Sequence, residues 1–498
     1  MQLAALIEGA DARLRGDGGV EIADLALDSR RVEAGSLFFC VSGMSDDGHR
    51  FASLAAEAGA AALVVERDLG VALPQVVVPD SRAAMAPFAA RFFGDPSEEL
   101  DLCAITGTNG KTTTAFLLRE IFEASGRQCG LIGTVKQVVG GRTEEVVRTT
   151  PEAIDLQRTI RRMVDGGDRA CAIEVSSHAL ALGRVDCLAV RSAGFTNLTQ
   201  DHLDFHSDMD AYFAAKRLLF EPVSDRRAAP AAAAVHLDDP YGARLADSLG
   251  ADESGPELTT FSASGAEADL GADDVDFDAS GARFELGVRA SGERIAASLP
   301  LPGAFNVENA LAAIAVAAGA GIEPDAAAAA LGGAGPVPGR MEPIEGRRGL
   351  PVLVDYAHTS DSLENVLAAA RRLCQGRLIC VFGCGGDRDR AKRPLMGGAA
   401  VAGSDLAIIT SDNPRSEEPA AIIADILAGI GGAEGVAVEQ DRRSAIALAL
   451  AEAGPEDLVV VAGKGHEQGQ EFADGRIEPF DDRDVVRSLL AASPAVGG

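Results

Sequence analysis

Positive charge is in short supply in this sequence. Its 498 residues carry 45 Lys+Arg against 75 Asp+Glu, a formal net charge of −30. Phosphate backbones need a basic face, so a nucleic-acid partner is excluded, and anionic membrane surfaces are disfavoured on the same ground. The opening residues lack a basic stretch followed by an apolar core, so no secretory signal is expected. A charge-free apolar run of about 20 residues, the length of a membrane span, is also missing. The nearest run, residues 310–322, is mostly Ala and Gly. The eight cysteines (40, 103, 129, 171, 187, 374, 380 and 384) form no CxxC pair. They read as reduced, mostly buried thiols, and the expected location is the cytoplasm. No solenoid-type repeat is visible.

Lysine is scarcer still. Only five of the basic residues are lysine: Lys111, Lys136, Lys216, Lys392 and Lys464. Lysine offers a compact point charge, or an amine that can lose its proton and react, and arginine offers neither. Each lysine is therefore a candidate for a task that arginine cannot perform.

What is present is ordinary globular material, 47% hydrophobic and 24% charged. At about 150 residues per domain the length suggests three domains. An α/β fold is expected throughout. Residues 1–94 form a small mixed unit in which Leu37–Val41 and Ala62–Val65 read as buried strands. Gly94-Asp95-Pro96-Ser97 breaks the pattern. Residues 95–335 alternate strand and helix, as a parallel sheet covered by helices does. Within them, acidic residues 251–294 read as surface strands and loops, and an Ala-rich helix is expected from about Val307 to Ala318. After the Gly335–Gly339 linker, residues 336–498 repeat the alternation as a Rossmann-like, doubly wound unit.

The strongest motif is Thr106-Gly107-Thr108-Asn109-Gly110-Lys111-Thr112-Thr113, which follows the apolar run Leu102–Ile105 and opens a helix. Glycines let successive N–H groups turn towards phosphate oxygens, and the helix N-terminus adds partial positive charge. Lys111 can reach the β- and γ-phosphates and the Thr112 hydroxyl can sit on Mg²⁺. This segment resembles the ATP loop of the Mur ligase family, the ATP-dependent amide-forming enzymes of peptidoglycan precursor synthesis, with folylpolyglutamate synthetases as more distant relatives.

The rest of the chain carries the resemblance in order. Glu174 ends an apolar strand beside the phosphate loop, which suits a hard cation. His202 lies in the segment NLTQDHLDFH after another strand. The resemblance implies Mg²⁺ held by Thr112, Glu174 and His202. Lys216, in Tyr212-Phe213-Ala214-Ala215-Lys216, resembles the family lysine that CO₂ carbamylates to N6-carboxylysine; taken alone it could be a solvated helix lysine. Asn306-Val307-Glu308-Asn309 resembles the segment facing adenine, although Asn306 would also serve as a helix N-cap. Arg340 resembles the arginine that reaches the γ-phosphate, and Asp355 the residue near the ribose. Ser360 stands where the family commonly has Pro. Lys111, Lys216, Glu174, His202 and Arg340 are thus the expected catalytic set.

Three further motifs follow strands of the third unit: Gly383–Asp389, Ser411–Arg415 and Gly463–Glu467. They gather at one sheet edge and supply Arg388, Asp412, Asn413, Pro414, Arg415, Gly463 and Glu467. Arginine pairs bidentately with carboxylate, and an acidic group takes an ammonium, so a zwitterion with more than one carboxylate fits. Asp412-Asn413-Pro414-Arg415 resembles the signature of family members that add meso-diaminopimelate rather than L-lysine.

On the nucleotide-sugar side, Leu27, Ser29 and the Met44–Gly48 segment resemble those that hold uracil and diphosphate. Thr149, Thr150, Ser176 and Arg184 resemble the muramoyl-peptide contacts, with Leu182 where some relatives have Gln. The resemblance implies UDP-N-acetylmuramoyl-L-alanyl-D-glutamate and meso-diaminopimelate as substrates, ATP and Mg²⁺ as cofactors, an acyl-phosphate route and a monomer. The readings left beside it are an L-lysine-adding ligase, a folylpolyglutamate-type ligase and a nucleotide switch without ligase activity.

Overall fold

The computed structural model describes residues 1–43, 46–146, 148–223, 227–344 and 350–492. Met44 and Ser45 of the Met44–Gly48 segment therefore lie outside the described residues. Among the described residues, four sheets have five, eleven, six and two strands.

The apolar runs near the N-terminus become the adjacent parallel strands Ser36–Phe39 and Ala62–Val65, buried at every position. The helix Ser81–Phe93 closes this unit. Asp80 starts it by accepting from the N–H groups of Arg82 and Ala83, and Gly94 ends it in the left-handed region, at φ 75°.

In the eleven-stranded sheet, Asp101–Thr106 lies between Ala170–Glu174 and Ser192–Phe195, all parallel. Register sets Glu174 beside Ile105 and Phe195 beside Thr106. The phosphate loop, Glu174 and the segment after Phe195 therefore leave the sheet along one edge, where ligands of open α/β sheets collect. The loop runs into the helix Lys111–Ala124, whose inward face packs on the sheet through Ala115, Leu118 and Phe122.

Two expectations need correction. Residues 251–294 are not merely surface strands and loops. Glu257–Ser262, Leu270–Asp278, Gly281–Val288 and Glu293–Leu299 continue the central sheet. Leu270, Phe277, Phe284 and Leu286 are buried in the main core, while the acidic residues alternate outward. The Ala-rich helix is Ala304–Gly319, one turn longer at its start than expected. Gly303 (φ 104°) is its N-cap, so Asn306 sits inside the first turn and donates from Nδ2 to the Pro302 carbonyl, 2.7 Å away.

The six-stranded sheet sets Val352–Asp355, Leu458–Ala462, Leu378–Phe382 and Leu406–Ile409 parallel, with Glu342–Ile344 antiparallel at its edge. The loops after these strands share one edge, which faces the central sheet's phosphate loop. Among the described residues, no helix is long and apolar enough to cross a membrane.

Candidate active site

The phosphate loop is shaped by its glycines. Gly107 has φ 152°, and a Cβ there would stand 1.8 Å from Thr196 Oγ1. Gly110 has φ 85° and Asn309 Oδ1 would lie 2.2 Å from its Cβ. The Asn309 amide thus rests directly on the loop. Lys111 Nζ donates to the carbonyls of Gly107 and Thr108, both at 2.8 Å, so its charge is held against the loop that would cradle phosphates. Burial lowers its pKa. Thr108 joins its hydroxyl to that of Tyr212 (3.1 Å), and Thr113 is buried behind the loop.

The structure brings Thr112 and Glu174 together. The Thr112 hydroxyl donates to Glu174 Oε2 at 2.9 Å. Thr134 completes the carboxylate's shell, its N–H reaching Oε1 (2.8 Å) and its hydroxyl Oε2 (3.0 Å). Arg340 crosses from the third domain and donates from Nη2 to Thr112 Oγ1 at 2.9 Å. Among the described residues its buried Nε has no hydrogen-bond partner, and its guanidinium lies 4.7 Å over the Tyr356 ring. That spare donor suits an incoming phosphate oxygen. His202 packs edge-on against His178 with centroids 4.9 Å apart. Burial is the main cause that pushes its pKa down to about 3, so the imidazole is neutral, and its Nε2 lies 3.6 Å from Asp201 Oδ2. Among the described residues, no three His, Cys, Asp or Glu side chains are arranged to hold a metal by themselves. One carboxylate and one hydroxyl beside a phosphate loop match Mg²⁺, which is bound largely through water and substrate phosphates.

Lys216 is not a solvated helix lysine. It belongs to the helix Met209–Arg217, is 1% exposed, and donates from Nζ to the Gly107 carbonyl at 2.7 Å. Burial, reinforced by Lys111, pushes its pKa well below the ordinary lysine value. Both effects bias this amine, at the foot of the phosphate loop, towards its uncharged form.

On the nucleotide's other side, Asn309 Nδ2 donates to Asn306 Oδ1 at 3.1 Å. The Asp355 carboxylate accepts from the N–H groups of Met341 and Ala357, both at 2.7 Å. It therefore fixes the turn that carries Arg340. Asp361, at the start of the following helix, accepts from Asn109 Nδ2 (2.8 Å), tying the third domain to the loop.

A cleft of about 1130 Å³ opens between the second and third domains. Thr134, Thr149 and His202 line one wall, and Arg388, Asn413, Arg415 and Glu467 the other. Lys464 Nζ, fully buried, donates to Asn413 Oδ1 and Glu467 Oε2, both at 2.8 Å. Asn413 Nδ2 also donates to Glu467 Oε2 (2.8 Å). Asp412 is buried, and the cations Lys464 and Arg442 lower its pKa against the opposing effect of burial. A Cβ at Gly463 would approach Asp412 Oδ2 to 2.8 Å, so the strand ends pack closely. Arg415 donates from Nη1 to the Gly386 carbonyl (2.7 Å) and from Nε to Glu471 Oε2 (2.8 Å). Pro414 ends the buried stretch, and Arg388 stands exposed at the rim.

The muramoyl-side residues form a second group. The Thr150 hydroxyl donates to the Glu174 carbonyl at 2.9 Å, and the Ser176 N–H donates to Thr150 Oγ1 at 3.2 Å. Arg184 donates to the Thr150 carbonyl (3.2 Å) and pairs with Glu152 (2.8 Å). Thr149 shares a hydrogen bond with Thr134 (3.0 Å). Leu27 and Ser29 are half-buried on the first domain, away from the cleft. The next residue but one, Arg31, pairs with Asp155 and ties their turn to the helix Ala153–Asp165.

Known protein families share the chain's three-part layout. Residues 21–93 match the model "Mur ligase family, catalytic domain", 105–317 the "Mur ligase middle domain" and 339–465 the "Mur ligase, glutamate ligase domain". The chain belongs to the Mur ligase family. A UDP-N-acetylmuramoyl-L-alanyl-D-glutamate–2,6-diaminopimelate ligase from Geobacillus thermodenitrificans is 44% identical over 95% of this chain and 96% of its own. The enzyme of the same name from Streptomyces coelicolor is 44% identical over 95% and 93%. A solved structure of a ligase of that name superposes with a TM-score of 0.68 at 33% identity, covering 99% of both chains.

Several side chains of this Mur ligase site escaped the sequence reading. Thr134, Glu471 and Asp201 sit in no phosphate-type or DNPR-type motif. Asp201 draws His358 (3.5 Å) and Lys392 (3.4 Å) across the domain boundary. Lys392 and Lys464 carried a signal in lysine scarcity.

Proposed function

We propose that this Mur ligase joins meso-diaminopimelate to the D-glutamyl γ-carboxylate of UDP-N-acetylmuramoyl-L-alanyl-D-glutamate, as a cytoplasmic step of peptidoglycan precursor synthesis. The observation that carries the reading is one cleft with two chemistries. Thr134 and His202 line its second-domain wall, Thr134 hydrogen-bonding Glu174 of the adjoining cluster of Thr112, Glu174 and Arg340 that would take cation and phosphate, and Asn413, Arg415 and Glu467 line the amino-acid wall. We assign residues 1–94 to the UDP-sugar, 95–335 to ATP and 336–498 to the amino acid.

ATP supplies the phosphoryl group that activates the γ-carboxylate as an acyl phosphate, and Mg²⁺ offsets the phosphate charge. Lys111 and Arg340 hold positive charge where the transferring group passes. Thr112 and Glu174 would hold the cation with His202. Lys216, as its carbamate, would orient it, because CO₂ adds to an uncharged amine and the adduct, on releasing a proton, becomes an anion. Thr149, Thr150, Ser176 and Arg184 would hold the muramoyl peptide, with Leu27 and Ser29 towards uracil. Asp412 and Glu467 would take an ammonium of the incoming amino acid, and Arg415, with Arg388, its distal carboxylate. This favours diaminopimelate over L-lysine, which has no distal carboxylate and would leave Arg415 short of a partner. The chain is expected to act as a monomer.

ADP release measured with meso-diaminopimelate, L-lysine and folate-type acceptors tests the reading. Release that depends on meso-diaminopimelate is the expected result. Release without any amine would indicate a nucleotide switch.

A further inference from the structure

The third domain has a buried cation whose own side chain does not line the cleft. Arg393, in the first turn of the helix Lys392–Gly403, is fully buried and lies beneath the cleft rather than lining it. Its guanidinium forks onto Glu417, with Nη2 to Oε1 at 2.7 Å and Nη1 to Oε2 at 2.9 Å. Nη1 also reaches Asp425 Oδ2 (2.9 Å) and Nη2 the Gly385 carbonyl (3.2 Å). One side chain thus holds both the loop that follows Phe382 and the loop that follows Ile409.

Those two loops are zipped together above it. Glu417 Oε1 accepts the Asp387 N–H (2.7 Å), and Asp387 accepts from the Ser416 N–H (3.1 Å) and hydroxyl (2.7 Å). The Gly386 N–H donates to the Asn413 carbonyl at 2.9 Å, and Arg415 Nη1 to the Gly386 carbonyl at 2.7 Å. Asp387 and Arg415 both hold left-handed backbone, at φ 52° and 51°, which costs energy unless the surroundings fix it. A Cβ at Gly386 would stand 1.9 Å from the Pro414 carbonyl, so the two loops have no room to slide.

We propose that Arg393 is a positioning residue for amine selection. Its fork onto Glu417 sets where Arg415 and Arg388 present their guanidinium groups, and so sets the preference for an amine with a distal carboxylate. The inference rests on the diaminopimelate reading above. Lysine cannot substitute for Arg393, because an ammonium lacks the planar fork that grips both carboxylate oxygens.

The test uses the full chain, with Arg393→Lys, Glu417→Gln and the double variant, under steady-state kinetics with each amine and with ATP. Arg393→Lys is expected to raise the KM for meso-diaminopimelate by about 10-fold, the worth of a charged hydrogen bond, while the KM for ATP and kcat stay within about threefold. The ratio of kcat/KM for meso-diaminopimelate to that for L-lysine should fall. Glu417→Gln should act in the same direction. The double variant should be no worse than Arg393→Lys alone, because both changes break one fork. An unchanged amine ratio, or equal losses towards ATP and the amine, overturns the proposal. If Arg393→Lys does not fold, Glu417→Gln decides by the same readouts. Wild-type protein that ignores meso-diaminopimelate overturns the substrate reading instead. The Arg393 claim is then decided on the amine that the wild type does accept.

Discussion

Lys216 and Gly107 are joined by a 2.7 Å hydrogen bond that runs from a buried amine to the first carbonyl of the phosphate loop's glycine turn. The Tyr212 ring lies 4.6 Å from the same Nζ, and Tyr212 also bonds Thr108. The amine has no carboxylate partner among its described hydrogen bonds, and Lys111 is a nearby like charge. Lys216→Ala should lose most amide-forming activity, and millimolar-range bicarbonate or a short carboxylic acid should restore part of it. Lys216→Arg should not be rescued, because its cation still fills the site. Full activity of Lys216→Ala in CO₂-free buffer would dismiss the carbamate.

Arg415→Ala should raise the KM for meso-diaminopimelate by about 10-fold or more, from the loss of a charged contact worth about 1.5–3 kcal/mol. The KM for ATP should hardly move, since the phosphate loop belongs to another domain. L-Lysine should stay poor, but the gap should narrow. An unchanged preference would shift selection to Arg388.

Gly107→Ala places a methyl group against Thr196 Oγ1, at 1.8 Å before relaxation. The strained loop should weaken ATP binding by about 10- to 100-fold, equivalent to 1–3 kcal/mol. Calorimetric titration with ATP measures this directly, and binding as tight as wild type would mean that the loop relaxes freely.

Glu417 carries a pH signature. The Arg393 guanidinium is the main cause that lowers its pKa from 4.5 to about 2. A carboxyl group depressed in the folded state adds stability above its unfolded value, and that stability fades as pH falls from 4.5 towards 2. Urea melts of wild type and Glu417→Gln should therefore differ at neutral pH and converge across that acid window. A gap that stays constant with pH would show that Glu417 acts through packing alone.

The sequence made the parallel strands legible because Val352–Val354, Leu378–Phe382 and Leu458–Val461 are unbroken apolar runs, as strands buried on both faces must be. It made the phosphate loop legible through its glycines and Lys111. It showed the strands of 270–299 only as surface pieces and hid their place in the central sheet, because acidic residues interrupt the apolar positions and a bulge between Asp273 and Asp276 shifts the alternation. Thr134, Glu471 and Asp201 were hidden for another reason. Each acts through partners distant in sequence, Glu174, Arg415 and Lys392, and no local spacing announces such a contact. Arg393 was hidden in the same way. It sits one residue after Lys392 in a helix start, and only the folded chain brings Glu417 and Asp425 to it.

The five lysines also decide how the molecule meets amine-directed reagents. Lys216, Lys392 and Lys464 are buried, and Lys111 and Lys136 are half-buried, so no lysine stands fully exposed. Outside the cleft region, the amine that the surface presents to an acylating agent is that of Met1, and the other basic groups are arginines, which do not react with it at neutral pH. A mild acylating probe should label this protein sparingly. What label does enter a lysine should be sensitive to nucleotide, which makes labelling stoichiometry a direct gauge of site occupancy.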